Sequence, residues 1–362
     1  MARIEPKLKT YRVMNTTSGK WITLIILLVS FTACSDNSDD GPSISGIYVV
    51  NEGNFNQGNA SVTVYNAETQ DVVQQAFESQ NNRPLGDVAN NITRIEDRLY
   101  IVVNNSHKVE VVNPDDLSSI GTISIPEQGS PRNIVKARDG IAYVTNLYAN
   151  TVSIVDLESL SVTGSIDVGN NPEGIAVANQ RAFVANSGLG SGNTVTVIDV
   201  TTDEVINTLD VGDNPTDMVK DAADRIWLVC TGAYNDYSDP NDDTPGYLYV
   251  INSGTTSITN SIELGGHPSD IAISNNEGKV FVLNEGIQII RTSDLKLEAT
   301  WALNRSLYAL GVSETNKTYV YGADPKNYAQ QGMAIKYDID GVPVDSFDTG
   351  IIPGSFYMDI DR

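Results

Sequence analysis

Histidine and cysteine, the side chains most used for proton transfer near neutral pH and for transition-metal binding, are few and scattered in this chain. Its 362 residues hold two histidines, His107 and His267, and two cysteines, Cys34 and Cys230. They stand at no metal-ligand spacing, and neither a Gly-x-Ser-x-Gly elbow nor a Cys-x-x-Cys-His haem motif occurs. Asp236, Asp239, Asp242 and Asp243 crowd one short segment and could take Ca²⁺, but without an EF-hand pattern. Cys230 closes the apolar run Ile226-Trp-Leu-Val-Cys230, which predicts a buried, inert thiol. No catalytic residue, metal or cofactor is therefore assigned. The sequence is rich instead in Asn and Tyr, side chains that bind rather than react.

Charge narrows the partners. With 46 acidic and 23 basic residues the net charge is −23. Nucleic-acid binding needs Lys and Arg to displace phosphate counterions, so this balance argues against it. It argues equally against a basic helix lying on a membrane surface.

The N-terminus is a separate piece. Arg3, Lys7, Lys9, Arg12 and Lys20 precede an apolar run over 21–33 that ends at Cys34. About 13 apolar residues are too few to span a bilayer, which needs about 20. Basic residues, a short apolar stretch and small residues before a cut site read as a secretory signal over 1–33, and a start at Met14 would give it ordinary length. Thr32-Ala33-Cys34 resembles a bacterial lipobox, which implies cleavage before Cys34 and lipidation of its sulfur. The alternative is a plain signal peptide with an incidental Cys. Cleavage would leave 18 basic and 45 acidic residues, a net charge of −27. Residues 34–45 then form an acidic tether, Ser35-Asp-Asn-Ser-Asp-Asp40. That tract resembles the surface-export signal of one large group of gut Gram-negative bacteria and implies an outer-membrane, lipid-anchored protein facing the cell exterior, with the periplasmic face as the alternative.

The remainder repeats. Ser-Pro-Arg-Asn (130–133), Asn-Pro-Glu-Gly (171–174), Asn-Pro-Thr-Asp (214–217) and His-Pro-Ser-Asp (267–270) place Pro at 131, 172, 215 and 268, spaced by 41, 43 and 53 residues. After each Pro comes a short alternating run, a turn, and a second run: Ala142–Asn146, Ala182–Asn186 or Val280–Asn284. A third run (Thr151–Asp156, Thr194–Asp199) and a fourth (Val162–Val168, Val205–Val211) follow. Four short strands rich in Val, Ile, Thr and Tyr in about 42 residues are one propeller blade. Weaker copies cover 87–129 and 306–353. Residues 46–77 supply strands two, three and four, and 354–361 a lone first strand. The sequence thus predicts an all-β, seven-bladed β-propeller over 46–362, closed by pairing of its two chain ends, because an open array would leave unpaired strand edges.

Tyr143-Val-Thr-Asn146, the Asn-Pro-Glu-Gly turn at 171–174 and Val152-Ser-Ile-Val-Asp156 resemble the repeats of YVTN-type β-propellers. The lipobox, the acidic tract and Ile47-Tyr-Val-Val-Asn-Glu-Gly-Asn-Phe55 resemble surface lipoproteins partnered with TonB-dependent transporters, most of all the BtuG-type proteins. The resemblance implies capture of vitamin B12 (cobalamin) or another corrinoid over one face of the ring. It further implies delivery to a BtuB-type outer-membrane transporter.

Loops between strands two and three should gather on one rim, where a rigid scaffold concentrates binding residues. They carry Asn51, Glu52, Phe55, Asn104, His107, Asn146, Tyr148, Asn186, Tyr234, Tyr237, Asn284, Glu285, Asp324 and Tyr328, the candidate ligand-binding set. For the repeated asparagines, tolerance of turn geometry is an equal explanation. For the aromatic residues the alternative is packing on neighbouring loops. Glu52 and Glu285 hold matching blade positions and could form a carboxylate pair facing the channel, or simply line it with water. Two other functions stay open: a glycan- or protein-binding surface propeller, and a lactonase- or lyase-like enzyme.

Overall fold

The computed structural model describes residues 46–126, 129–235, 242–315 and 317–359. The signal over 1–33, Cys34, the tether and, farther along, Asp236, Tyr237 and Asp239 lie outside the described residues. No helix among the described residues is long and apolar enough to cross a membrane.

The described residues form seven four-stranded antiparallel sheets. Their inner strands lie side by side in a ring, the last against the first. Numbered in chain order, blades II to VII open with inner strands Ala89–Ile95, Pro131–Arg138, Pro172–Ala178, Pro215–Lys220, Asp270–Ser274 and Ala309–Glu314. Blade I joins the chain ends. Its inner strand is the C-terminal Pro353–Asp359, paired with the N-terminal Gly46–Asn51 in the register Val49↔Phe356 and Tyr48↔Tyr357. The expected closure is what the structure shows.

Second strands are apolar at nearly every position because they are buried on both faces. A period-2 alternation sends successive side chains to opposite neighbours. Tyr48 and Val50 pack between blades I and II, whereas Ile47 and Val49 pack between blades VII and I. Phe183 and Ala185 face blade V, whereas Ala182 and Val184 face blade III. Outer strands have only one neighbouring strand and read accordingly: Glu204–Asp210 is mostly exposed.

One local expectation fails. Residues 46–77 were expected to end in a full fourth strand, but blade I has only Val72–Val73 there, followed by a short helix, Ala76–Asn81. Phe77 is fully buried between blades I and II. The helix thus supplies the apolar contact that the shortened strand cannot.

Candidate functional site

The end of each second strand and the start of its inner strand lie at the same rim. Register pairs Pro131 with Asn146, Pro172 with Asn186 and Pro215 with Cys230. Proline suits a strand start because it has no N–H to contribute to the ladder. The residue before it often turns left-handed: Ser130, Asn171, Asn214 and Ile352 have φ of 49°, 49°, 55° and 55°. Its carbonyl then accepts the N–H just beyond strand two, as in Leu147→Ser130, Ser187→Asn171, Thr231→Asn214 and Glu52→Ile352. This clamp turns the residue after each proline toward the axis. Those residues differ from blade to blade, and Arg132, Glu173, Thr216, Ser269 and Gly354 all line the channel mouth.

The mouth is a polar cavity of about 580 Å³. Arg132 Nε donates to Glu173 Oε2 at 2.5 Å. Tyr308 Oη donates to Glu52 Oε1 at 3.1 Å, and Asn90 Nδ2 approaches the same oxygen at 3.5 Å. The next ring holds Asp217 and Asp270, hydrogen-bonded to each other. Asp217 Oδ1 accepts from the Met218 N–H (2.8 Å). Asp270 accepts from Ile271 (2.9 Å) and Leu310 (2.5 Å).

Charge follows from that burial. Two touching carboxylates cannot both ionise in such a place. Burial and then the Asp217 carboxylate push Asp270 well above the ordinary range, and burial also raises Asp217. Both shifts favour a shared proton, with which the pair can donate as well as accept. Burial raises Glu52 too, against the attraction of Arg132 and the hydrogen bonds from Tyr308 and Asn90. For Arg132, burial opposes the charge but Glu173 and Glu52 outweigh it, so the guanidinium stays firmly protonated. Four asparagine amides, Asn90, Asn91, Asn133 and Asn214, also line the mouth, together with apolar side chains such as Ile175, Leu310 and Phe356. Among the described residues no three His, Cys, Asp or Glu side chains converge to hold a metal ion. The mouth offers fixed donors and acceptors to a polar ligand.

Apolar side chains stand exposed around it. Phe55 (66% exposed), Tyr148 (59%), Leu189 (62%), Tyr234 (46%), Tyr308 (36%) and Tyr328 (47%) all sit on loops of this rim. The loops brace one another: Asn54 Nδ2 donates to the Tyr328 carbonyl at 2.7 Å, and Tyr308 meets Tyr328 edge to face at 5.9 Å.

The residues expected from sequence divide into groups. Phe55, Tyr148, Tyr234 and Tyr328 stand exposed on the rim. The repeated asparagines are buried in the blades. Asn51, Asn146 and Asn186 give their amide N–H groups to Ser and Thr hydroxyls on the third strands. Asn104 and Asn284 give theirs to the carbonyls of Pro131 and Gly265. His107 Nδ1 accepts the Ser130 N–H at 3.3 Å. Asp324 accepts from Arg305 at 3.1 Å. Glu52 and Glu285 occupy different cavities. Glu52 enters the mouth, while Glu285, left-handed at φ 51°, lines a groove between blades VI and VII. Of the four aspartates considered for Ca²⁺, Asp243 accepts from the Asn235 N–H and faces His267 Nε2 at 3.3 Å. Arg132, Glu173, Asp217, Asp270 and Tyr308 were not foreseen, although the variable position after each repeated Pro marks two of them.

Comparison with known proteins agrees with the fold. A search of the curated proteins finds no match. A quinonprotein alcohol dehydrogenase-like protein from Bacteroides thetaiotaomicron superposes with a TM-score of 0.66 at 14% identity, over 88% of this chain and 78% of that one. Hydrazine synthase from Kuenenia stuttgartiensis gives 0.57 at 16% identity, over 73% and 87%. The Pan2 WD40 domain of Neurospora crassa gives 0.55 at 14%, over 75% and 81%. At such identities the likeness is one of fold alone. The model of one family matches residues 45–337, nearly the whole propeller, and on that match the chain belongs to the family described as "Domain of unknown function (DUF5074)".

Proposed function

We propose that this propeller is a cell-surface ligand-capture protein whose ligand is a corrinoid, cobalamin first, passed on to a TonB-dependent outer-membrane transporter of BtuB type. The observation that carries the reading is the ring of exposed aromatic and leucine side chains around a polar channel mouth. Exposed Tyr and Phe on braced loops give contact area at little ordering cost, so affinity can be high without covalent chemistry. A corrin ring is broad, apolar on its faces and fringed with amides. The mouth answers that fringe with asparagine amides, a guanidinium and a carboxyl pair holding one proton. No His need bind cobalt. Lipidation at Cys34 would hold the protein at the membrane.

The test uses residues 41–362, a compact unit by itself, mixed with cyanocobalamin and passed through a desalting column. Red colour co-eluting with one equivalent of protein supports capture. Colourless protein at concentrations where a micromolar complex should persist removes the corrinoid. Glycan arrays and a transporter pull-down would then address the remaining binding functions.

A further inference from the structure

Among the described residues, five charged side chains line the channel mouth: Glu52, Glu173, Asp217, Asp270 and Arg132. With one proton shared by the aspartates, Glu52, Glu173 and the aspartate pair set three negative charges against one positive. With Glu52 protonated as well, two still face one. These acids act on one another across the cavity, since Glu173 repels both Glu52 and Asp217. A further carboxylate brought there would give up its water for a net negative field. Away from bulk water that repulsion is strengthened, and the lost hydration is not repaid.

The hydrogen-bonding capacity of the mouth points the same way. Glu173 Oε2 holds Arg132 Nε, while Glu52 Oε1 faces Tyr308 and Asn90. Glu173 Oε1, Glu52 Oε2 and both Nη atoms of Arg132 make no hydrogen bond among the described residues. Two acceptors and a donor pair in one wall complement a primary carboxamide, which has two N–H groups and one C=O. A carboxylate brings acceptors alone and would set them against the glutamate oxygens.

We propose that the channel mouth takes an uncharged carboxamide side chain of the ligand and refuses the matching carboxylate. The inference rests on the corrinoid reading above and adds to it that capture discriminates fully amidated corrinoids from those carrying a free acid. A cavity of about 580 Å³ suits a drug-sized body. A whole corrinoid is larger, so one amide arm enters while the ring stays on the rim.

The experiment measures binding of cyanocobalamin and of its monocarboxylic acids, each with a different single side-chain amide hydrolysed, to residues 41–362 and to Glu173→Gln at neutral pH. The acid whose amide enters the mouth should bind the native protein at least about tenfold more weakly than cyanocobalamin. Glu173→Gln removes one negative charge and frees Arg132 to pair with the carboxylate, so that gap should narrow at least about threefold. Glu52→Gln replaces it if circular dichroism shows a misfolded protein. Every acid binding as cyanocobalamin does, or a gap that the folded variant leaves unchanged, would overturn the charge selection and leave corrinoid capture standing. No binding of cyanocobalamin would remove both.

Discussion

Glu52 occupies the space that Gly354 leaves open. A Cβ on Gly354 would stand 2.9 Å from both Cγ and Oε1 of Glu52. Glu52 follows the first strand of the propeller and Gly354 is the second residue of the last, so this carboxylate meets that glycine only because the chain ends close into one blade.

Gly354→Ala should therefore move Glu52 rather than the backbone, because the clash is with a flexible side chain. Stability is expected to change by no more than about 1 kcal/mol. Ligand affinity should fall about tenfold as the Glu52–Tyr308 hydrogen bond breaks. Thermal melting and titration calorimetry on the same sample separate the two effects; a large drop in melting temperature would mean that the strand itself is displaced.

The Asp217–Asp270 pair gives a pH dependence of definite sign. A carboxyl raised in the folded state contributes stability that is complete below its unfolded value, about pH 4. That contribution is lost as pH climbs through the raised folded value. Both aspartates are raised, Asp270 the more strongly. Asp270→Asn keeps a donor toward Asp217 without the charge. Urea unfolding should show the variant gaining on the native protein as pH rises above about 4. A difference that does not vary with pH would contradict the shared proton.

Exposed aromatics should matter for binding and not for folding. Alanine at Phe55, Tyr148, Tyr234 or Tyr328 is expected to leave the melting temperature nearly unchanged. Each substitution at a ligand contact should weaken binding by about tenfold or more. If all four bind as the native protein does, the ligand face lies elsewhere.

Asn186→Ala should behave in the opposite way. Its amide bridges Thr194 and Thr196 at 3.0 Å each and is buried. Losing those bonds should cost about 1–3 kcal/mol of stability and leave affinity for the ligand within twofold, about 0.4 kcal/mol. A selective loss of affinity would instead make this asparagine a ligand contact.

Cys230 should be silent to thiol reagents. Burial pushes its thiol far above the ordinary range, and the reactive species is the thiolate. In residues 41–362 it is the only cysteine. Ellman's reagent should detect almost none in the native protein and one equivalent in guanidinium. Rapid native labelling would show that blade V opens.

Much of the fold was legible because propeller blades are local. Each second strand announces itself by an apolar run such as Arg181–Asn186, and the inner strands of blades III to VI by a turn residue and Pro at 131, 172, 215 and 268, spaced by 41 to 53 residues. Blade I was legible from what it lacked, three strands at one end and one at the other. The helix at Ala76–Asn81 was not legible, since six residues are too few to set up a helical period.

The site was only half legible. Sequence alone determined the strands, the ring closure and the rim on which Phe55, Tyr148, Tyr234 and Tyr328 stand, because these follow from alternation, turn chemistry and chain order. It could not pair Asp217 with Asp270, 53 positions apart, or separate Glu52 from Glu285, which hold matching places in their repeats. Those outcomes depend on which side chains from different blades converge at the axis and on which turn goes left-handed. Burial in a narrow channel then decides whether a carboxylate keeps its proton. Such distances and dielectric surroundings exist only once all seven sheets have closed around the axis.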